Sequence, residues 1–147
     1  MLKNVTDFRK KLLKKFSHSP TSRQSKLFVM LVDFVFSKDY QTLFLMKGYA
    51  GTGKTSAISA LVTTLRETEK KSVLLAPTGR AAKVISVYSK VPAYTIHKKI
   101  YFPKKQQNGS VDFVLQTNKH KNTIFIVDEA SMIPDRPQNG NLIKNDS

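Results

Sequence analysis

Residues 48–55 read GYAGTGKT, which places two glycines and a closing Lys-Thr pair at the spacing G-x-x-x-x-G-K-T. A glycine-rich turn of this kind lets successive backbone N–H groups point at the oxygens of a phosphate. Gly48, Gly51 and Gly53 supply positive φ angles and a close approach that side chains would block. Ala50, Thr52 and Ser56 complete the segment that would wrap the anion. Lys54 can reach β and γ phosphates, and the Thr55 hydroxyl can ligate Mg²⁺. Such a site also needs a carboxylate at the end of a neighbouring strand, to hold the metal through water. Asp128 ends the apolar run Ile124-Phe125-Ile126-Val127, and Glu129 beside it can orient or deprotonate an attacking water. MgATP is therefore the expected ligand, with Lys54, Asp128 and Glu129 as catalytic residues and Thr55 and Asp128 on the metal side. The plainer alternatives are a chance glycine-rich turn and a solvated strand end. The chain has only ten acids, and two of them follow its most apolar strand.

For these groups to converge, the loop must leave a buried strand and enter a helix, and the acids must end a parallel strand. TLFLMKG, ending at Gly48, is a short apolar run closed by glycine and reads as the first buried strand. Residues 54–69 read as a helix whose positive dipole end faces the loop. KSVLLAPTG is a second buried strand entering a turn, RAAKVISVYS a helix, and TIFIVDEAS the third strand. Ahead of them, Val5, Phe8, Leu12 and Phe16 recur at spacings of three and four, an amphipathic helix with lysines on its other faces. A second helix, residues 22–36, is expected to bury Leu27, Met30, Leu31 and Phe34. In residues 91–122, Val111, Phe113 and Leu115 alternate after the Asn108-Gly109 turn signal, as in a hairpin. The fold expected is α/β, with helical residues 1–37, a body at 38–134 carrying an insertion at about 101–122, and a polar tail at 135–147.

Twenty-five Lys and Arg against ten Asp and Glu give a formal charge of +15. Such an excess favours a polyanionic partner, since neutralising phosphates releases condensed counterions. A solubilising lysine habit is the bland alternative. No cysteine is present, so disulfides and thiolate metal sites are excluded. No apolar run approaches the roughly 20 residues that span a bilayer, so no membrane is expected. The basic amino terminus lacks a signal core, and a cytoplasmic location is the expectation.

Beyond the phosphate loop, APTGRAAK (residues 76–83), TIHKKI (95–100) and VDEASMI (127–133) follow in order. With that loop, over residues 16–134, they resemble superfamily-one DNA helicases of the RecD-like and Dda-like branch. The resemblance implies a partial RecA-like P-loop NTPase domain with a parallel sheet, preceded by two helices and carrying a small hairpin insertion. It implies ATP-dependent 5′-to-3′ movement on single-stranded or forked DNA in repair or recombination. Gln24 resembles the glutamine that reads adenine in these enzymes, a task suited to an amide that donates and accepts; the alternative is an exposed helix residue. Pro77, Thr78, Gly79 and Arg80 match the segment that touches the strand's backbone, and Thr95 and His97 match the next. Capping of a helix by Thr78 and packing of His97 are the structural alternatives. The lysines and aromatics of the insertion, Phe102 and Phe113 among them, suit tracking a strand while stacking on bases. Equally, those aromatics can pack on the body.

Helicases of this class close their nucleotide site with a second RecA-like domain that brings arginines. That domain and the γ-phosphate-sensing segment are missing here, because the sequence stops fourteen residues after SMI. A fragment or remnant with weak MgATP binding, negligible turnover and exposed sheet edges is expected. Two further readings remain: a catalytically dead basic nucleic-acid-binding module, and an unrelated small P-loop ATPase or kinase.

Overall fold

The apolar stripe Phe8 and Leu12 runs along helix α1 (Leu2–Lys15) and continues to Phe16 just past its end, and all three side chains are buried. The structure, a computed structural model, describes residues 2–39, 41–107 and 109–134; the polar tail expected at 135–147 lies outside them. Helix α2 (Ser22–Val35) starts at a capping box. The Thr21 hydroxyl accepts from the Gln24 amide N–H, and the Gln24 side chain accepts from Thr21 N–H. Its buried face is Phe28, Leu31, Val32 and Val35. Met30, expected inside, is 57% exposed. Residues 27–32 are all apolar, so the sequence pattern leaves the rotation of this helix undetermined, and packing against α1 selects the Phe28–Val32–Val35 side.

Helix α3 (Lys54–Glu67) buries Ala57, Ile58, Leu61, Val62 and Leu65, and these pack with Phe8, Leu12 and Phe28 in one core. Lys15 and Glu67 form a half-exposed ion pair at 2.5 Å that ties α1 to the end of α3. Strand β1 (Ser72–Ala76) leads into α4 (Gly79–Ser89), β2 (Ala93–Thr95) and the short α5 (Ile96–Ile100). Strands β3 (Tyr101–Lys105) and β4 (Val111–Leu115) form an antiparallel hairpin, and β5 (Ile124–Val127) follows. Gly109, at φ +82°, sits in the turn joining β3 to β4. The main sheet has the order β2-β1-β5, parallel throughout, so β1 is central and the chain has the expected α/β plan.

One expectation fails. The run TLFLMKG before the phosphate loop is not a strand: residues 42–49 carry no regular secondary structure. Its period-two character persists, since Phe44 and Met46 pack on the core while Leu43 and Leu45 are 88% and 65% exposed. A strand is defined by a hydrogen-bonded neighbour, and this segment has none in the sheet. It stands across an open cleft from β5. Strand β2 was not legible as an element: three residues after Pro92 are too few for a pattern.

Candidate nucleotide and nucleic-acid site

The loop before α3 is shaped by its own side chains. Thr52 Oγ1 donates to the Tyr49 carbonyl at 2.8 Å, closing the turn. Gly51 and Gly53 hold φ of +76° and +85°, the left-handed region that favours glycine. Gly48, expected to share that conformation, does not have a positive φ; a Cβ there would lie 2.7 Å from Thr52 Oγ1, so a side chain would force Thr52 to shift. Lys54 Nζ donates to the Gly48 and Tyr49 carbonyls at 2.6 and 2.7 Å, which seats the ammonium inside the curve of the loop.

Gln24 reaches the same loop. Its Nε2 donates to the Thr52 carbonyl at 3.2 Å, while its Oε1 accepts from Thr21 N–H. The amide thus braces the loop from the start of α2. Sequence reasoning placed Gln24 near the nucleotide but did not foresee this brace.

Asp128 and Glu129 lie at the carboxyl end of β5. Asp128 N–H donates to the Leu75 carbonyl on β1, and Asp128 Oδ1 accepts from Glu129 N–H at 3.0 Å. Glu129 sits at φ +54°, an uncommon conformation for a residue with a side chain, costing on the order of 1 kcal/mol. That bend starts a 3-10 turn at residues 130–132. Both acids line one cleft with Gly48, Gly51, Lys54 and Thr55. Ala50, Gly53 and Ser56 line it too.

The cleft encloses about 1850 Å³, more than the roughly 300–1,000 Å³ of an ordinary ligand pocket, because it extends between residues 42–47 and β5. An ammonium, a hydroxyl and two carboxylates around a glycine-rich loop form a set of groups that fits a metal-bound triphosphate. When bound, that group would supply the phosphoryl bond and the metal charge. Lys54 would trade its two carbonyl partners for phosphate oxygens, Thr55 and Asp128 would hold the metal, and Glu129 would take a proton.

Of the residues matched to nucleic-acid contacts, Pro77–Arg80 follow β1 and Thr95 and His97 stand at the end of β2, at the same end of the parallel sheet, whereas Phe102 and Phe113 belong to the separate hairpin. Thr78 caps α4, its Oγ1 accepting from Ala81 N–H, and Thr95 caps α5 by accepting from Lys98 N–H. Gly79 and Arg80 are exposed and Pro77 is half-buried. His97 lies on the ring of Tyr101, centroids 4.6 Å apart, and meets Phe113 edge-on at 5.4 Å. Phe113 pairs with Pro103 and Phe102 with Val114, so Phe102 and Phe113 are on opposite faces of the hairpin. The two aromatics therefore do not act together on one face.

A parallel sheet with a phosphate loop entering one helix and paired acids ending a strand, all on one cleft, defines a partial RecA-like P-loop domain. The sequence profile of the AAA domain family matches residues 34–145, about three quarters of the chain. The chain belongs to that family, whose P-loop domains are ATPases that generally bind ATP with Mg²⁺. No solved structure matches it significantly.

Proposed function

We propose that this chain is the nucleotide-binding motor domain of an ATP-dependent DNA helicase acting in repair or recombination, with 5′-to-3′ movement as in the enzymes it resembles. It binds MgATP in the cleft and single-stranded DNA over Pro77–Arg80, Thr95 and His97. The supporting observation is the sheet register. Ala76 of β1 pairs with Thr95 of β2 on one side, and Leu75 pairs with Val127 of β5 on the other. The turn that begins at Pro77 therefore lies one strand from the acids and one strand from Thr95. A strand of DNA over that end would lie beside the nucleotide, with a backbone-directed set of contacts that positions without reading sequence.

Among the described residues no arginine lines the cleft. An arginine supplied to such a site is worth roughly 10³–10⁵ in rate. The proposal assigns that arginine to a second RecA-like domain, and low turnover to this chain alone.

The test measures MgATP binding and single-stranded DNA binding by the chain, and DNA-stimulated hydrolysis when the second domain is present. Lys54→Ala should abolish hydrolysis and weaken MgATP by at least about tenfold. Arg80→Ala should weaken DNA of every sequence alike and lower the slope of log K against log salt by about one. Stimulated hydrolysis that survives Lys54→Ala would remove the phosphate loop from the mechanism. The competing reading is an inactive nucleic-acid-binding module, favoured by the open cleft beside residues 42–47. DNA binding without any MgATP binding would select it.

A further inference from the structure

Helix α4 holds aliphatic side chains out in solvent. Ala82, Ile85 and Ser89 form its buried face. Val84 and Val87, one helical turn apart on the other side, are 59% and 72% exposed. They gain little from the core, and side by side they make an apolar ridge. A groove of about 400 Å³ runs beside Val87, between α4 and the edge strand β2. Ala82 and Ala93 give it apolar walls, and Lys83 and Lys98 stand along it. Both lysines are exposed, and neither is ion-paired among the described residues. Residues 79–90 hold Arg80, Lys83 and Lys90 and no acid. Among the described residues no acid lines the groove.

Three occupants would meet this surface differently. A nucleic-acid backbone would pair with the lysines but gain nothing from a valine ridge. A second copy of the chain, docked through the same face, would set these cations against themselves. An amphipathic helix with carboxylates beside an apolar stripe matches both the ridge and its charge.

We propose that α4 and this groove dock an acidic amphipathic helix of another protein. Its apolar side chains pack across Val84 and Val87, one of them entering the groove between Ala82 and Ala93, and its carboxylates meet Lys83 and Lys98. The inference stands apart from the nucleotide cleft and does not depend on the nucleic-acid reading. Gly79 and Thr95, assigned above to DNA, also line the groove, so DNA binding is measured in parallel.

The test begins with selection on the whole chain from a displayed library of helical peptides of on the order of 15 residues. The selected peptides are expected to carry Asp and Glu beside apolar residues at helical spacing. The strongest is then synthesised, labelled and titrated by fluorescence anisotropy. Val84→Ser with Val87→Ser should weaken it by about tenfold or more, and Lys83→Gln with Lys98→Gln by a similar factor. A scrambled peptide of the same composition should bind the wild type at least about tenfold more weakly, since bulk charge alone does not distinguish the two. The valine variant should keep its affinity for a labelled oligothymidylate. Both valines are exposed, so its melting temperature should stay within a few degrees of the wild type, which separates a lost contact from a lost fold. A selection that yields no acidic peptide overturns the proposal, as does a scrambled peptide that binds equally well. A selected peptide that binds the valine variant as tightly as the wild type sits elsewhere and overturns it too. Oligothymidylate affinity that falls in the valine variant would assign the ridge to nucleic acid instead.

Discussion

The hydroxyls of Ser56 and Tyr88 stand 3.0 Å apart, joining the first turn of α3 to the last turn of α4. Helix α3 begins at the phosphate loop and α4 begins at the turn assigned to DNA, so this bond is a direct polar link between the two sites' helices. A neutral hydrogen bond contributes about 0.5–1.5 kcal/mol, enough to carry up to about tenfold coupling. Tyr88→Phe is therefore expected to shrink the effect of saturating DNA on MgATP affinity, and by reciprocity the effect of MgATP on DNA affinity. Titration calorimetry in both directions measures it. Identical coupling in the wild type and Tyr88→Phe would show that the bond transmits nothing.

Gly48 and Thr52 make a second pair with a readable consequence. An alanine at residue 48 would place its methyl 2.7 Å from Thr52 Oγ1, and relief requires Thr52 to swing away from the Tyr49 carbonyl it now closes. Gly48→Ala should thus reduce MgATP affinity by about tenfold or more while shifting global stability by only about 1 kcal/mol. Removing the obstacle with Thr52→Ala in the same chain should restore part of the affinity. Binding titrations on the two single variants and the double variant form the cycle. A double variant weaker than both singles would contradict the steric account.

On the hairpin, Phe102 and Phe113 part ways. Phe113 packs edge-on with His97, a contact worth about 0.5–1.5 kcal/mol, whereas Phe102 lies on the other face. Phe113→Ala is expected to lower the melting temperature by a few degrees, and Phe102→Ala to leave it unchanged. If the hairpin touches DNA, Phe102→Ala should weaken forked DNA specifically. A stability loss at Phe102 equal to that at Phe113 would mean that the hairpin packs differently in solution.

How much of this the sequence disclosed depended on whether the signal was local. The stripe of α1 is separated by lysines, so its buried face at Phe8, Leu12 and Phe16 is legible from spacing alone. Gly48–Thr55 and Asp128-Glu129 are legible because each motif carries its own chemistry, and the fold needed only to bring two such segments to one cleft. The rotation of α2 was not legible, because six consecutive apolar residues suit several faces. Residues 43–47 have the pattern of a strand, but pairing is decided by a partner edge that no local pattern encodes. Ser56 with Tyr88, and Tyr94 with Lys99, are meetings of helices and strands far apart or otherwise silent, and only the packing reveals them.

Leu12 tests whether α1 is part of the body or an appendage. It is 0% exposed and clusters with the buried face of α3. Leu12→Ala should cost about 2–5 kcal/mol, the transfer term plus the cavity left behind. Lys11→Ala, which removes only an exposed i,i+4 pair with Asp7, should cost less than about 0.5 kcal/mol. Urea unfolding of the three proteins gives the comparison. A loss under about 1 kcal/mol at Leu12 would show α1 detached in solution.

The segment before the phosphate loop yields the last prediction. Leu43 and Leu45 are 88% and 65% exposed, and they line the wide cleft with Phe125 and Ile133, themselves 44% and 45% exposed. An apolar mouth beside an uncovered strand edge is a site for self-association. Replacing both leucines with lysine removes little buried area, so the change in stability should be within about 0.5 kcal/mol. Light scattering should then show less aggregate, and binding of a hydrophobic dye should fall. The opposite result is equally informative. If the double variant unfolds, both leucines are buried in solution, and residues 43–47 then have a packed partner that closes the cleft against β5.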